Sequence, residues 1–157
     1  MILGLSIGLF TGLHVVLSLI GIVSGFLLFF SLIGKKRHTY WTPVFFISNI
    51  LTDLTGFLFP FKSITPGIII GVLSLVALLI AIVALLSKTQ RGAFIFASAV
   101  ALFFNVFVLI VQSLEKISWL HKIAPTQASP GFWIAQAIGL GIVILLAATA
   151  WGRYRKA

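Results

Sequence analysis

Apolar residues dominate the chain in five long runs, which shorter polar or basic stretches separate. A helix needs about 20 apolar residues to cross a hydrocarbon core about 30 Å thick, and each run is close to that length or longer. The pattern therefore predicts an all-α fold, a single bundle of five transmembrane helices formed by residues 1–157. The predicted helices cover about 5–33, 43–61, 67–87, 92–114 and 131–151.

The second run is the shortest and the most polar of the five. Thr42 and Pro43 give it a helix-start signal, and Pro60 closes it. The one long connection, residues 115–130, is predicted to lie on the outer side of the membrane. Apolar residues before Pro125 recur there at near-helical spacing, so a short interfacial helix and an ordered loop are equally good interpretations.

The composition is that of a membrane protein. Hydrophobic residues make up 61% of the chain and charged residues 8%, with a mean hydropathy of +1.22, whereas about a quarter of the residues of a soluble domain are charged. There is no cysteine, so disulfides, thiolate chemistry and Cys-ligated metals are excluded. The formal charge of +9 comes from bases between the apolar runs, without a groove-reading motif, and nucleic acid is not a predicted partner.

The positions of lysine and arginine predict the orientation, because cytoplasmic loops carry an excess of these residues. Five crossings put one group of bases on the same side: Lys35, Lys36, Arg37, Lys88, Arg91, Arg153, Arg155 and Lys156. The smaller group on the other side is Lys62, Lys116 and Lys122. The N-terminus is therefore predicted outside and the C-terminus in the cytoplasm. The first run lacks a basic segment before it and a small-residue cleavage site after it, so it is predicted to be a retained helix.

Small and polar residues form one stripe on the first predicted helix and another on the third. Steps of three or four residues separate the members of each stripe, which places them on one helix face. The stripes are Gly8, Thr11, His14, Ser18, Gly21 and Gly25, and then Gly67, Gly71, Ser74, Ala77, Ala81 and Ala84. Small residues let helix backbones approach each other in lipid, so both stripes are predicted to pack against other helices.

The second helix carries a carboxylate among its polar residues. Asn49, Thr52, Asp53 and Gly56 follow an i, i+3, i+4, i+7 spacing and share one face. Asp53 lies about 15 Å along the helix from Pro43, near the membrane midplane. A central Asp costs about 2.5–3.5 kcal/mol on insertion scales, so it is expected to be protonated, hydrogen-bonded or beside water. Functional and structural roles are equally good interpretations of such a residue.

Other polar residues concentrate in the outer half of the predicted bundle. Together they give a candidate ligand or proton site made of Asp53, His14, Asn49, Thr52, Asn105 and Gln136. Interhelical hydrogen bonding is the simpler role for Asn105 and Gln136, at about 0.6 kcal/mol for an average bond. For His14, a hydrogen bond to a neighbouring helix is likewise simpler than a role as ligand or proton carrier.

Catalytic and cofactor motifs are missing from the sequence. There is no P-loop, GxSxG, HExxH or dinucleotide fingerprint, and one Asp with one Glu disfavours a paired-carboxylate hydrolase. A bis-histidine haem would need the outer loop to fold inward so that His121 meets His14. The sequence therefore predicts no catalytic residue, no metal site and no cofactor.

Three stretches resemble a group of small bacterial membrane proteins without an assigned activity. They are HVVLSLIGIVSGF, TDLTGFLFPF and ALFFNVFVLIVQSLEKISWLHKIAPTQASPGFWIAQ, and they cover most of the chain. The resemblance implies a multi-pass protein of the bacterial inner membrane and supplies no activity. In that group a P-x-H-I-V-G pattern opens the third helix, whereas this chain reads TPGIIIG with Ile68 in place of the histidine. A pairing of that position with His14 is therefore absent, which weakens haem and two-histidine metal interpretations further.

Two functional hypotheses from different classes follow. In the first, a polar pocket in the outer half of the bundle binds or transports a small or lipid-like molecule, with Asp53 as the protonatable group. In the second, the chain is a non-catalytic accessory or assembly subunit whose polar stripe docks onto a larger membrane complex. An enzyme is the third interpretation. The lipid bilayer is the predicted partner, and a homodimer stays an alternative because five helices are too few for the inverted repeats of many transporters.

Overall fold

The computed structural model describes residues 1–35, 39–60, 65–87 and 90–155, and it is all-helical. The helices are α1 (Ile7–Ile33), α2 (Trp41–Phe57), α3 (Pro66–Leu86), α4 (Arg91–Lys116), α5 (Ser118–Ile123) and α6 (Pro130–Arg155). The all-α prediction is therefore confirmed. Several bases used to predict the orientation lie outside the described residues: Lys36, Arg37, Lys62, Lys88 and Lys156.

Four helices are long and apolar enough to cross a membrane, namely α1, α3, α4 and the segment Pro130–Arg153 of α6. Their length and composition identify the chain as a membrane protein. The second predicted crossing is weaker, because α2 has only 17 residues. The structure thus supports four of the five predicted crossings.

The bounds of α2 differ from the predicted 43–61. The helix starts two residues earlier, at Trp41, and ends at Phe57. Pro60 has no N–H to donate and disfavours the helical conformation of the residue before it, so the chain leaves the helix before the proline. The long connection 115–130 contains the six-residue helix α5. Of the two interpretations offered for that connection, the structure has the short helix.

Local capping explains where two of the long helices begin. The Ser6 side chain accepts a hydrogen bond from the Leu9 N–H at the start of α1. The Thr65 side chain accepts one from the Ile68 N–H at the start of α3, where Pro66 occupies the first helical position. Both devices satisfy backbone donors that a helix leaves unpaired at its N-terminus.

The five long helices form a closed ring in the order α1, α2, α3, α4, α6, and α1 also contacts α4 across the ring. Helices α1 and α2 run antiparallel: Gly25 of α1 lies against Phe45 of α2, and Gly21 lies against Asn49. We call the end of the bundle that holds Phe57, Lys116 and Pro130 the α5 end. The end that holds Trp41, Arg91 and Arg155 is the basic end.

The main core is aliphatic and aromatic, and much of it lies in the half nearer the basic end. Its largest fully buried side chains include Leu28, Phe29, Phe45, Phe94 and Leu102. A smaller cluster of Leu114, Ala124 and Phe132 lies beside α5. Apolar contact therefore holds both halves of the bundle, and the polar side chains described below are enclosed between helices.

The predicted small-residue stripes are confirmed over most of their length. Gly21 and Gly25 of α1 are buried, as are Ser74, Ala77, Ala81 and Ala84 of α3. Gly8 and Gly67, in contrast, are exposed. Both lie in the first turns of their helices, and nothing is within 4 Å of a Cβ placed on Gly8.

Candidate functional site

A hydrogen-bonded pair of asparagines lies inside the bundle. Nδ2 of Asn105 on α4 donates to Oδ1 of Asn49 on α2 over 2.9 Å. The Ser18 hydroxyl on α1 donates to Oδ1 of Asn105 over 2.6 Å, and Nδ2 of Asn49 donates to the Phe45 carbonyl over 2.7 Å. Each polar atom of the two amides therefore has a partner, as expected for polar groups enclosed in a low-dielectric interior.

Gly21 makes room for this asparagine pair. A Cβ placed on Gly21 would lie 2.8 Å from Nδ2 of Asn49 and 3.0 Å from Nδ2 of Asn105. Any side chain at this position would push the amides out of place. Gly21 therefore leaves space for the hydrogen-bonded asparagines, in addition to allowing the close approach of helices that its stripe predicts.

His14 lies closer to the α5 end and contacts α2. Its Nδ1 is 2.8 Å from Oγ1 of Thr55, and its ring packs edge-on against Phe59 with a centroid distance of 5.3 Å. The Thr55 hydroxyl has one hydrogen, and its Oγ1 lies 2.7 Å from the Leu51 carbonyl, which can accept that hydrogen. With its hydrogen on that carbonyl, Thr55 accepts from His14 and Nδ1 carries a proton; with its hydrogen on His14, Nδ1 carries none.

Asp53 lies between α2 and α3, away from the asparagine pair. The residue is half-buried, and its carboxyl faces the Ser74 hydroxyl of α3. Its second oxygen, Oδ2, is buried and has no hydrogen-bond partner among the described residues. An unpaired polar atom of this kind is costly in an enclosed site, and such atoms call for an explanation.

The remaining predicted site residues, Thr52 and Gln136, form hydrogen bonds to backbone carbonyls. The Thr52 hydroxyl donates to the Ser48 carbonyl of its own helix over 2.8 Å. Nε2 of Gln136 on α6 donates to the Phe107 carbonyl of α4 over 3.2 Å, while Oε1 of Gln136 is buried without a partner. Thr52 is thus satisfied by the α2 backbone, whereas Gln136 joins two helices and keeps one acceptor open.

The structure divides the predicted six-residue site into separate parts. Asn49 and Asn105 meet directly, but among the described residues no hydrogen bond joins Asp53 to His14, Asn49 or Asn105. The neighbours of α2 explain this division. Asn49 and Gly56 turn toward α1, since Gly56 lies beside the His14 ring, whereas Asp53 turns toward α3.

Three hydrogen-bonding partners were missed by sequence reasoning. Ser18 and Ser74 had been interpreted only as small residues of the packing stripes, and Thr55 had no assigned role. Each has a hydroxyl opposite a predicted site residue: Asn105, Asp53 and His14, respectively. Ser18 lies one helical turn after His14, which is a signal that could have identified it as a donor toward the same interior.

The described part of the chain contains no group of three or more His, Cys, Asp or Glu side chains that could hold a metal ion. His14 contacts Thr55, and Nδ1 of exposed His121 is 3.3 Å from the Leu114 carbonyl. Comparison with protein-family models, curated proteins and solved structures finds no match for the chain. Function is therefore argued from the site alone.

Proposed function

We propose that the protein crosses the bacterial inner membrane five times, with its N-terminus outside, and that it binds or transports a small or lipid-like molecule through Asp53. We further propose that this activity is linked to protonation of the Asp53 carboxyl. The observation that carries the proposal is the buried Oδ2 atom of Asp53, which lacks a partner in the part of the chain that the structure describes. An ionisable group inside a membrane bundle marks a functional site by default.

The hydrogen bonds of the two asparagines favour Asp53 over Asn49 and Asn105 as the binding group. The amides of Asn49 and Asn105 satisfy each other, with Ser18 and the Phe45 carbonyl as their further partners. Every nitrogen and oxygen atom of these two amides therefore already has a partner. Asp53, in contrast, has an acceptor that a proton, a water molecule or a ligand donor can satisfy.

The position of Asp53 along α2 supports access from the α5 end, which the proposed orientation puts outside. Phe57, the last residue of α2, is four positions after Asp53. At 1.5 Å per residue this is about 6 Å along the helix. Water or a ligand entering at this end would therefore have a short path to the carboxyl.

The alternative role of an accessory subunit requires a polar stripe that faces a partner. Within the α1 stripe, His14, Ser18 and Gly21 contact α2 and α4 of the same chain. These residues are therefore used in folding the bundle. This arrangement favours a site within the chain over docking through that stripe.

Proteoliposomes with a pH-sensitive dye trapped inside test the proton-linked part. Under an imposed pH gradient, we expect wild-type protein to carry protons and Asp53→Asn to lose that flux. Glu115→Gln is the matched control, since Glu115 is the only other acidic residue and is exposed. A wild-type flux equal to that of empty liposomes would reject proton transport.

Difference infrared spectroscopy tests the site itself, including a binding role without transport. The Asp53 carboxyl band, identified by its loss in Asp53→Asn, is expected to respond to pH and to exchange in D2O. Circular dichroism must show the same helix content in both proteins. A carboxyl that neither exchanges nor titrates would overturn the proposal and make Asp53 an interhelical contact with Ser74.

A further inference from the structure

An apolar groove separates α4 from α6 in the half of the bundle nearer the basic end. Its volume is about 560 Å³, and its walls run from Gly92 to Phe103 on α4 and from Leu140 to Trp151 on α6. The lining residues are all glycine or apolar side chains. Phe96 stands at the rim with 72% of its surface exposed. Only a hydrocarbon surface is complementary to such walls.

The same two helices are in tight contact toward the α5 end. A Cβ placed on Gly139 of α6 would lie 2.9 Å from Ile110 of α4. The rings of Phe107 and Phe132 also meet edge-on, with a centroid distance of 6.4 Å. The groove is therefore closed at one end, and α4 and α6 separate only over their halves near the basic end.

The length of the groove indicates which molecule can fill it. Gly92 and Phe103 are about 16 Å apart along α4, which is about half of a hydrocarbon core about 30 Å thick. One acyl chain from a single leaflet covers this depth. A partner transmembrane helix needs contact across the full hydrocarbon core. The close approach of α4 and α6 at Gly139 leaves no groove for such a helix in the half nearer the α5 end.

The positive charge at the mouth of the groove favours a lipid with an anionic headgroup. Arg153 and Arg155 are exposed in the last turn of α6, immediately after Trp151. The sequence has only two acidic residues, Asp53 and Glu115, and Glu115 lies in the last turns of α4, at the opposite end. No acidic side chain therefore neutralises the two arginines. The Trp151 ring packs on Gly92 at this level, where tryptophan typically meets lipid headgroups.

We propose that this groove is a binding site for an anionic phospholipid of the leaflet at the basic end. One acyl chain lies between α4 and α6, and the phosphate-bearing headgroup pairs with Arg155, which continues the helix face of Trp151, while Arg153 adds positive charge at the same level. Basic pockets between membrane helices recognise anionic headgroups through the same charges. The site is separate from Asp53 and does not depend on the function proposed for that residue.

Two pairs of variants separate the acyl and headgroup contacts. Ala148→Phe places a ring in the groove from an exposed position, and Ala137→Phe makes the same change on an exposed part of α6 outside the groove. Arg153→Gln with Arg155→Gln removes the charges at the mouth. Lys116→Gln with Lys122→Gln removes the same net charge from the α5 end. Ala148→Leu is a milder second variant if the phenylalanine prevents folding.

Native mass spectrometry of delipidated protein gives the readout, with phosphatidylglycerol or phosphatidylcholine of identical acyl chains as the probe. We expect wild-type protein to bind the first phosphatidylglycerol molecule more tightly than the first phosphatidylcholine molecule, by about fivefold for each arginine. The double arginine variant should lose this preference, and Ala148→Phe or Ala148→Leu should weaken binding of both lipids. The two control variants should behave as wild type.

Three results would overturn the proposal. The first is equal binding of the two lipids by wild-type protein, and the second is wild-type lipid binding in Ala148→Phe with unchanged helix content. The third is a dimer in the wild-type spectra that Ala148→Phe abolishes, because a second copy of the chain would then occupy the groove.

Discussion

Asn49 and Asn105 join α2 to α4, two helices that are not adjacent in the ring of the bundle, through a hydrogen bond of 2.9 Å. The pair lies where α1 passes between them with Gly21 and Ser18. A single polar contact thus ties three helices together. Its partners are mutually dependent, since each amide satisfies an atom that the bundle shields from water.

Replacing Asn105 by leucine should destabilise the protein by about 1 to 2 kcal/mol, because Oδ1 of Asn49 and the Ser18 hydroxyl lose their partner. Equilibrium unfolding in mixed micelles measures the change. Gln112→Leu is the control, as Gln112 is an exposed amide on the same helix. In a double-mutant cycle with Asn49→Leu, additive losses would show that the two asparagines do not interact.

Gly21→Ala should cost about 1 to 3 kcal/mol, since the added methyl group would meet both asparagine amides. Gly12→Ala on the same helix is the matched change, because nothing lies within 4 Å of a Cβ there. The difference between the two free energies of unfolding measures the fit around the asparagine pair. Equal values for the two variants would contradict the tight fit at Gly21.

The His14 tautomer can be read directly by nitrogen NMR of labelled protein in lipid. We expect the proton on Nδ1 in the wild type, because Thr55 can place its own hydrogen on the Leu51 carbonyl. Thr55→Val should remove this preference, whereas Thr149→Val should leave it intact, since the Thr149 hydroxyl bonds to Leu145 on α6. Protonation of Nε2 alone in wild-type protein would show that Thr55 donates to His14 instead.

Ser74→Ala should move the Asp53 carboxyl band in the infrared spectrum to higher frequency, because the carboxyl loses a hydrogen-bond partner. The loss of stability should be about 1 kcal/mol. Ser31→Ala is a suitable comparison, as Ser31 bonds to the backbone of its own helix at Leu27. An unchanged band in Ser74→Ala would mean that the hydroxyl does not act on Asp53.

The sequence was sufficient to predict four membrane-spanning helices but only part of the site. Helical spacing grouped Asn49 and Gly56 with Asp53 on one face of α2. It could not show that α2 lies between two neighbours, so that Gly56 meets His14 on α1 while Asp53 meets Ser74 on α3. Which neighbour a side chain meets depends on the order of helices in the ring, and hydropathy carries no information about that order.

The groove and the end of α2 were beyond prediction for related reasons. The groove exists because α4 and α6 diverge on one side of the contact at Gly139. This divergence depends on how the two helices pack together, and neither helix sequence alone shows it. The apolar run through residues 58–60 also masks the end of α2, since those residues suit a membrane whether or not they are helical. Pro60 was the available signal, and its effect reaches back to Phe57.

The shortness of α2 bears on the bilayer around the protein. Its 17 residues give a rod about 25 Å long, some 5 Å less than an average hydrocarbon core. In the proposed five-crossing topology, a crossing of this length would create hydrophobic mismatch, which thins the surrounding lipid at a cost of a fraction of a kcal/mol per Å. Lipid headgroups and water would then dip toward the bundle beside α2. The acyl length of the host membrane would thereby set how well the carboxyl of Asp53 is hydrated.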